Sequence, residues 1–349
     1  MIKVLIVDDS ASVRLFLEQV FSADPEIRIV GFAANGEEAV AAAARLAPDV
    51  ITMDIYMPLM NGLDATRRIM ETQPTPIIIL SGNLDPEEVI TSFRAMEAGA
   101  LVALPKPRGA GHPDHGREVR SLVQTVKLMA EVKVVKRWPR HQKRLPTPHI
   151  PDVIGEDATA QPQVVAIGAS TGGPVVIQTI LSQLKKNFPL PVLIVQHMAK
   201  GFVEGFAEWL TFSSPLPVHI AIQDEDILPG HVYIAPDGFH LLLQAGGRIH
   251  LSDAPPDNGL RPSVAALFRS VAAVYGKRAV GVLLTGMGSD GAEELLQLKR
   301  KGAVTIAQDK ASSVIFGMPG EAVKVGAATH LLAPNRIAAT LELLARKEQ

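Results

Sequence analysis

Short apolar runs rich in β-branched residues alternate with helix-like segments along almost the whole chain, and this alternation limits the fold more than any other feature. In the first third, these runs lie at Ile2–Val7, Ile27–Val30, Val50–Met53, Ile77–Leu80 and Leu101–Leu104. Strands that are apolar at every position are typical of parallel sheets, which helices cover on both faces. The alternation therefore predicts an α/β domain over 1–130 with a five-stranded parallel sheet.

A second α/β pattern begins at Val164 and continues to the C-terminus. Its predicted strands are Val164–Ile167, Val192–Val195, Val218–Ile222, Val232–Ala235, Val280–Leu284 and Val304–Ala307. The pair Gly246–Gly247 separates two apolar arms within His240–Leu251, which predicts an antiparallel hairpin. We expect a second, doubly wound α/β domain over 164–349 with a mainly parallel sheet.

Between these two patterns, the segment 131–163 has no hydrophobic periodicity. It contains five prolines and a run of basic residues, including Lys136, Arg137, Arg140, Lys143 and Arg144. Proline excludes a continuous helix, and so polar a segment offers no core. We predict a flexible, proline-rich basic linker. Contact of its basic run with an acidic partner or a nucleic acid is the alternative that composition favours less.

Composition excludes several classes of protein. The 349 residues suit two domains, the formal net charge is -2, and cysteine is absent. The absence of cysteine excludes a disulfide scaffold, an iron–sulfur cluster, a cysteine nucleophile and a thiolate zinc site. The balanced charge argues against nucleic acid as a partner. The apolar start is too short for a signal peptide, and no run approaches the length of a membrane span. We therefore expect a cytoplasmic protein without membrane insertion.

Polar side chains follow several predicted strands of the first domain. Asp8 and Asp9 follow the first strand, and Asp54 follows the third. Ser81 follows the fourth strand, and Lys106 follows the fifth. Taken singly, each is explained as well by a structural role, as a helix cap, a turn residue or a loop charge. Together they converge on the carboxyl edge of the sheet, where three carboxylates need a compensating cation. Oxygen ligands favour Mg²⁺, and a carboxylate beside it can attack a phosphoryl group.

Residues 1–125 resemble a response-regulator receiver domain. The resemblance rests on V-D-D-S (7–10), M-D-I-Y-M-P (53–58), L-S-G (80–82) and the pair Lys106–Pro107. It implies a flavodoxin-like (βα)5 fold, phosphorylation of Asp54 and a histidine kinase as phosphodonor. Its implied Mg²⁺ ligands are Asp9, Asp54 and the backbone carbonyl of Tyr56, with Asp8 acting through water.

For the incoming phosphoryl oxygens, Ser81 supplies a hydroxyl and Lys106 a point charge. One position departs from the receiver pattern, because Ala103 stands where these domains often carry an aromatic switch residue. Signal transmission is then expected to rely on Ser81 and on loop packing.

The first strand of the second domain runs into a glycine-rich turn, Gly168-Ala169-Ser170-Thr171-Gly172-Gly173-Pro174. Gly168-x-Ser170-x-Gly172 fits a nucleophile elbow, in which a sharp strand-to-helix turn exposes the serine oxygen. A structural or phosphate-binding turn fits this local pattern equally well. The full G-x-G-x-x-G of a dinucleotide site and the G-K-[ST] of a P-loop are both missing.

Two further residues favour the nucleophile. His197 follows the strand Val192–Val195, on the same edge as Ser170 if the strands are adjacent, and is the best candidate for a general base. Asp290 lies in a glycine-rich loop after another strand, where a carboxylate can orient an imidazole. The chain order Ser, His, Asp differs from the familiar triad orders and lends no support by itself.

Residues 164–349 resemble the catalytic domain of chemotaxis protein-glutamate methylesterases. The matching segments are I-G-A-S-T-G-G (167–173), V-Q-H-M (195–198), L-P-G-H-V-Y-I-A-P (228–236), R-P-S-V (261–264), L-L-T-G-M-G-S-D-G-A (283–292) and G-M-P-G-E-A (317–322). The resemblance implies that Ser170 is the nucleophile, His197 the base and Asp290 the orienting acid. Backbone N–H groups of Thr171 or Met287 would form the oxyanion hole.

The order receiver, linker, hydrolase is also that of the family. The resemblance to this family implies a hydrolase-type fold. It also implies cofactor-free hydrolysis of glutamate γ-methyl esters on chemoreceptors, activated by phosphorylation. Some members also deamidate receptor glutamines, and the sequence leaves this second activity open. We expect a monomer. One alternative is a response regulator whose output domain only binds a partner. Another is a transcriptional regulator, but no helix-turn-helix pattern follows the linker in this sequence.

Overall fold

The computed structural model describes residues 1–82, 85–134 and 161–346. The chain divides into two compact units, 1–145 and 146–349, and each is described by itself. Most of the predicted linker, 135–160, lies outside the described residues.

In the part of the first unit that the structure describes, five strands alternate with five helices. They are β1 (Ile2–Val7), α1 (Ala11–Ser22), β2 (Ile27–Ala33), α2 (Gly36–Leu46), β3 (Val50–Asp54), α3 (Gly62–Thr72), β4 (Ile77–Ser81), α4 (Pro86–Ala98), β5 (Val102–Pro105) and α5 (His115–Ala130). The strand order is β2-β1-β3-β4-β5, and every pair is parallel. The predicted flavodoxin-like fold is confirmed.

Helix caps explain where several of these helices begin. Ser10, Asn35, Asn61 and Asp85 accept backbone N–H groups of the first turns of α1 to α4. Because Ser10 caps α1, the neighbouring carboxylate of Asp9 is not needed for that purpose. The chain order reverses at β1, which lies between β2 and β3, so the carboxyl ends of β1 and β3 flank the crevice of the sheet.

The described residues of the second unit form nine strands and six α-helices. They are β6 (Val164–Ala169), α6 (Gly173–Leu181), β7 (Val192–Gln196), α7 (Val203–Ser213), β8 (Val218–Ile220), β9 (Val232–Ile234), β10 (His240–Gln244), β11 (Arg248–Ser252), α8 (Val264–Val274), β12 (Ala279–Leu283), α9 (Ala292–Arg300), β13 (Val304–Gln308), α10 (Met318–Lys324), β14 (His330–Leu332) and α11 (Pro334–Leu344). A short 3₁₀ turn at Gly276–Arg278 precedes β12.

Seven strands form one sheet in the order β14-β13-β12-β6-β7-β9-β8, with all pairs parallel. Strands β6, β7 and β12 are buried along their whole length, as their uninterrupted apolar sequences predict. The predicted hairpin is a separate pair, β10–β11, whose turn contains Gly246 and Gly247 at positive φ. Strand β14 was not predicted, because its three residues at the sheet edge carry no clear pattern.

Strand β6 is the first strand of its unit and lies near the middle of its sheet, between β12 and β7. The chain therefore leaves β6 in one direction and later returns to its other side, which creates a crevice at the carboxyl ends. The loops after β6, β7 and β12 meet there. No helix among the described residues is both long and apolar enough to cross a lipid bilayer.

Candidate active site and acidic pocket

The turn after β6 holds Ser170 between glycines that close packing requires. A Cβ atom at Gly168 would lie 2.2 Å from the side chain of Val264. At Gly172, φ is +78° and a Cβ would lie 2.6 Å from Val314. Gly172 also precedes α6 directly, so Ser170 is presented at the start of a helix. The backbone has the sharp strand-to-helix form that the motif predicts.

The main chain of Ser170 is held on every side. Its N–H donates to the carbonyl of Thr285 at 3.0 Å. Its carbonyl accepts from the Gly173 N–H at 2.8 Å and from the side-chain amide of Gln196 at 2.8 Å. A Cβ at Gly286 would lie 2.6 Å from the Cβ of Ser170, so the loop after β12 packs directly against the serine. The position of Ser170 is therefore set by three separate elements.

His197 lies on the same edge because β6 and β7 are neighbours. Its backbone N–H donates to the carbonyl of Ala169 at 2.9 Å, which continues the pairing of the two strands. Asp290 reaches the ring from the loop after β12, and its Oδ2 lies 2.9 Å from His197 Nε2. The ring N–H is not well aligned with this oxygen, as is common in catalytic sites without substrate. Asp290 therefore faces the Nε2 side of the imidazole.

Asp290 is buried yet stabilised as an anion. Burial by itself would raise its pKa, but His197 and two backbone N–H groups outweigh that effect and lower the pKa below 3.8. The N–H groups of Val264 and Ala265, at the start of α8, donate to its two oxygens at 2.7 and 3.0 Å. The positive end of α8 therefore supports the charge, and the carboxylate is ionised at neutral pH.

The two predicted oxyanion donors lie in loops that are joined to each other. Thr171 follows the serine directly, and the hydroxyl of Thr285 donates to its carbonyl at 2.9 Å. Met287 lies two residues after Thr285, with its side chain exposed. Within the described ranges, neither the Thr171 N–H nor the Met287 N–H donates to another protein group.

In the first unit, the three predicted carboxylates lie together. Asp8, Asp9 and Asp54 each offer an oxygen, and these atoms lie within 4.8 Å of one another. Asp8 and Asp54 are buried, whereas Asp9 is exposed. The ammonium group of Lys106 lies 2.7 Å from Asp8 Oδ2 and 3.1 Å from Asp54 Oδ1. The lysine therefore bridges the two buried acids.

Burial raises the pKa of Asp54 to about 6. Lys106 and the Ile55 N–H act against this rise, and the nearby charge of Asp8 adds to it. For Lys106, burial alone would lower the pKa, but Asp8 and Asp54 outweigh it and the pKa is raised. Three carboxylates against one ammonium leave a net negative pocket, which suits a hard divalent cation. Tyr56, the fourth predicted ligand, lies in the loop after β3 with its side chain half exposed.

Ser81 is engaged by a residue that sequence reasoning missed. Its hydroxyl donates to Glu88 Oε1 at 2.6 Å, and the Gly82 N–H donates to the same oxygen at 2.8 Å. Glu88 is buried in α4, although a glutamate near a helix start is ordinarily a surface residue. No sequence signal distinguishes it from its neighbour Glu87. Ala103 lies in β5, paired with Ile79 of β4.

Gln196 and Thr285 were also missed as site residues, although both stand in motifs that carry the family resemblance. Both are buried, and both bond to the turn that carries Ser170 or to the residue after it. The sequence motifs include both residues but do not indicate which groups their side chains hydrogen-bond to.

The fold and these two edges define a class of protein. The first unit is a receiver-type domain with an acidic pocket at its switch point. The second is an α/β unit that brings a serine, a histidine and a buried aspartate to one edge, as serine hydrolases do.

Comparisons with known proteins agree with this class. Residues 165–341 match the family described as CheB methylesterase, and residues 4–112 match the response regulator receiver domain. A protein-glutamate methylesterase/protein-glutamine glutaminase of Geobacter metallireducens is 63% identical over 349 residues, which is 100% of both chains. One of the same name from Nitrosospira multiformis is 54% identical and covers 98% of this chain and 96% of its own. The chain belongs to the CheB methylesterase family and carries a receiver domain.

A solved structure resembles the second unit. The catalytic domain of the Thermotoga maritima CheB methylesterase shares 39% identity with this chain at a TM-score of 0.51. It covers 53% of this chain and 100% of its own. The predicted hydrolase-type α/β fold of the second unit is confirmed.

Proposed function

We propose that this chain is a phosphorylation-regulated serine hydrolase that removes methyl groups from glutamate γ-methyl esters of chemoreceptors in bacterial chemotaxis. The observation that carries the proposal is the buried, ionised Asp290 within 2.9 Å of His197, on the strand edge that also presents Ser170. The name of the full-length relative from Geobacter metallireducens supports a protein-glutamate methyl ester as the substrate.

In the proposed reaction, His197 Nδ1 takes the proton of Ser170 Oγ while that oxygen attacks the ester carbonyl carbon. The backbone N–H groups of Thr171 and Met287 bind the developing oxyanion, and each such donor contributes about 3–4 kcal/mol. Collapse of the intermediate releases methanol, whose oxygen takes the proton back from His197. Water then repeats these steps on the acyl-enzyme and frees the glutamate.

Asp290 acts through the opposite nitrogen of the imidazole. A proton on Nε2 faces its carboxylate, so Nδ1 is the basic nitrogen toward the serine. When Nδ1 takes the serine proton, the imidazolium charge lies against an anion that the start of α8 holds in place. The N–H groups at the start of α8 hold this anion in place before the substrate arrives, and such preorganisation favours electrostatic catalysis.

In the receiver domain, Asp54 is proposed as the phosphoacceptor and a histidine kinase as the phosphodonor. Asp9, Asp54 and the backbone carbonyl of Tyr56 would hold Mg²⁺, with Asp8 acting through water. When bound, the ion would neutralise charge on the pocket and on the phosphoryl group. Lys106 offers a second cation to the phosphoryl oxygens. Ser81 would contact them once its hydroxyl leaves Glu88.

A second activity, deamidation of receptor glutamines, is proposed for the same residues because the relatives carry the glutaminase name as well. The same acyl transfer applies, with ammonia leaving in place of methanol. We further propose a cytoplasmic monomer with a receiver domain over 1–130, a linker over 131–163 and a catalytic domain over 164–349.

The test is methanol release from receptor membranes that carry labelled methyl esters. The full chain is assayed with and without acetyl phosphate and Mg²⁺. Release that rises with the phosphodonor is expected. A chain whose output domain only binds a partner would release no methanol under either condition.

A further inference from the structure

Gln196 bonds to the main chain of both the serine and the histidine. It is the last residue of β7, directly before His197, and only 4% of it is exposed. Its side-chain nitrogen donates to the carbonyl of Ser170 at 2.8 Å and to the carbonyl of His197 at 2.8 Å. One amide group, with its two protons, therefore holds the turn after β6 and the turn after β7 together.

The surroundings determine which way this amide points. Its oxygen, Oε1, is buried without a hydrogen-bond donor and faces the start of α6. A Cβ at Gly173 would lie only 2.1 Å from that oxygen, so glycine makes the room for it. The positive end of a helix favours an oxygen over an NH₂ group. In the reverse orientation, Oε1 would face two carbonyl oxygens. The amide is therefore fixed as a donor toward the active site.

No other side chain in the described ranges donates to the backbone of both residues. The main-chain bonds of the two residues run to separate partners. The Ser170 N–H donates to Thr285, the Ser170 carbonyl accepts from Gly173, and the backbone N–H of His197 donates to Ala169. The last residue pair of β6 and β7 is Ala169 with Gln196, so the pairing of the two strands ends just before Ser170 and His197. Gln196 supplies the next cross-link beyond that end.

We propose that Gln196 is a positioning residue, which sets the distance between Ser170 Oγ and the His197 ring by clamping their two turns together. This inference rests on the proposed function. A misplacement of about 1 Å in a reacting group costs about 100-fold in rate. Removal of the clamp is therefore expected to lower turnover strongly while leaving substrate binding nearly unchanged.

The test uses the full chain, methyl-labelled receptor membranes, and saturating acetyl phosphate and Mg²⁺. Gln196→Met removes both donors at similar side-chain length, and Gln196→Glu keeps the shape but loses the NH₂ group. The control is Thr305→Val, because Thr305 is fully buried and its hydroxyl donates to the Ala327 carbonyl, outside the site. A fluorophosphonate probe, allowed to react to completion, counts reactive serines in each preparation.

Both Gln196 variants are expected to lose about 10- to 100-fold in kcat per reactive serine, with KM within about twofold of wild type. Thr305→Val is expected to keep its kcat per reactive serine. A loss that appears only as fewer reactive serines would overturn the proposal, because it would mean that Gln196 serves folding alone. If Gln196→Met does not fold, Gln196→Glu decides, and failure of both to fold also overturns it. Wild-type protein that releases no methanol would instead contradict the proposed function.

Discussion

Replacing Asp54 by asparagine is expected to stabilise the first unit at neutral pH. Burial raises the pKa of this carboxyl from 3.8 to about 6, so the folded chain holds its ionised form at a cost. A difference of that size corresponds to about 3 kcal/mol, since one pKa unit is about 1.4 kcal/mol. The side chain is only 7% exposed, so solvent screens little of this cost. Asparagine has the same shape without the charge, and we expect a gain of about 2–3 kcal/mol at pH 7.5 without metal.

The pH dependence follows from the direction of the pKa change. Because the folded chain binds this proton more tightly than the unfolded chain, the contribution of Asp54 to stability is fully present below pH 3.8. It is lost as the pH rises through about 6. The gain from Asp54→Asn should therefore be near zero at pH 4 and reach its full value above about pH 7.

Hydrogen exchange of the full chain in EDTA, followed by mass spectrometry, measures this gain. Peptides from the buried strands β1 and β3 exchange only when the first unit opens, so their protection gives its free energy of unfolding. Asp9→Asn is the matched control, because Asp9 belongs to the same pocket but is exposed, and its effect is expected to stay below about 1 kcal/mol. Equal stability of Asp54→Asn and wild type at pH 7.5, or an equal gain at pH 4, would refute burial as the cause.

Three further predictions concern catalysis and its regulation. Ser170→Ala should abolish methanol release from labelled receptor membranes while acetyl phosphate still phosphorylates Asp54, and residual release would remove Ser170 from the mechanism. Asp290→Asn should lower kcat by about 10³- to 10⁴-fold, because the neutral amide no longer stabilises the imidazolium; a loss below tenfold in the same assay would contradict that role. Asp54→Ala should keep the basal rate and lose the part that acetyl phosphate stimulates, and a variant that is still stimulated would exclude Asp54 as the phosphoacceptor.

Much of the fold was predictable because its main signal is local. Apolar runs such as 164–167 and 192–195 are buried on both faces, and that burial is visible as an uninterrupted apolar sequence. The ends of strands were predicted less accurately. The predicted strand extended to Ile222, but β8 ends at Ile220, and Ile222 is exposed. The short edge strand β14 escaped prediction for the same reason: three residues at an edge carry too little burial to leave a pattern.

Residue types at strand ends were also predictable from the chain itself. In a parallel sheet, the carboxyl ends of strands lie on one edge, so Asp8, Asp54, Ser170 and His197 could be assigned to two edges before their neighbours were known. Sequence motifs then indicated the family and the roles of these residues. Spacing along the chain, however, says nothing about which atom of one side chain faces which atom of another.

Tertiary structure alone decided the contacts and the charges. Asp290 faces His197 Nε2 and remains ionised because His197 and two N–H groups at the start of α8, 25 and 26 residues away in sequence, outweigh the effect of burial. Burial at the end of β3 raises the pKa of Asp54, and the nearby charge of Asp8 adds to this rise. Gln196 bonds to the turns after both β6 and β7 because these two strands are adjacent. The sequence by itself determined which groups reach each edge. Desolvation and close approach between distant segments determined what those groups can do, because both effects depend on neighbours that only folding brings together.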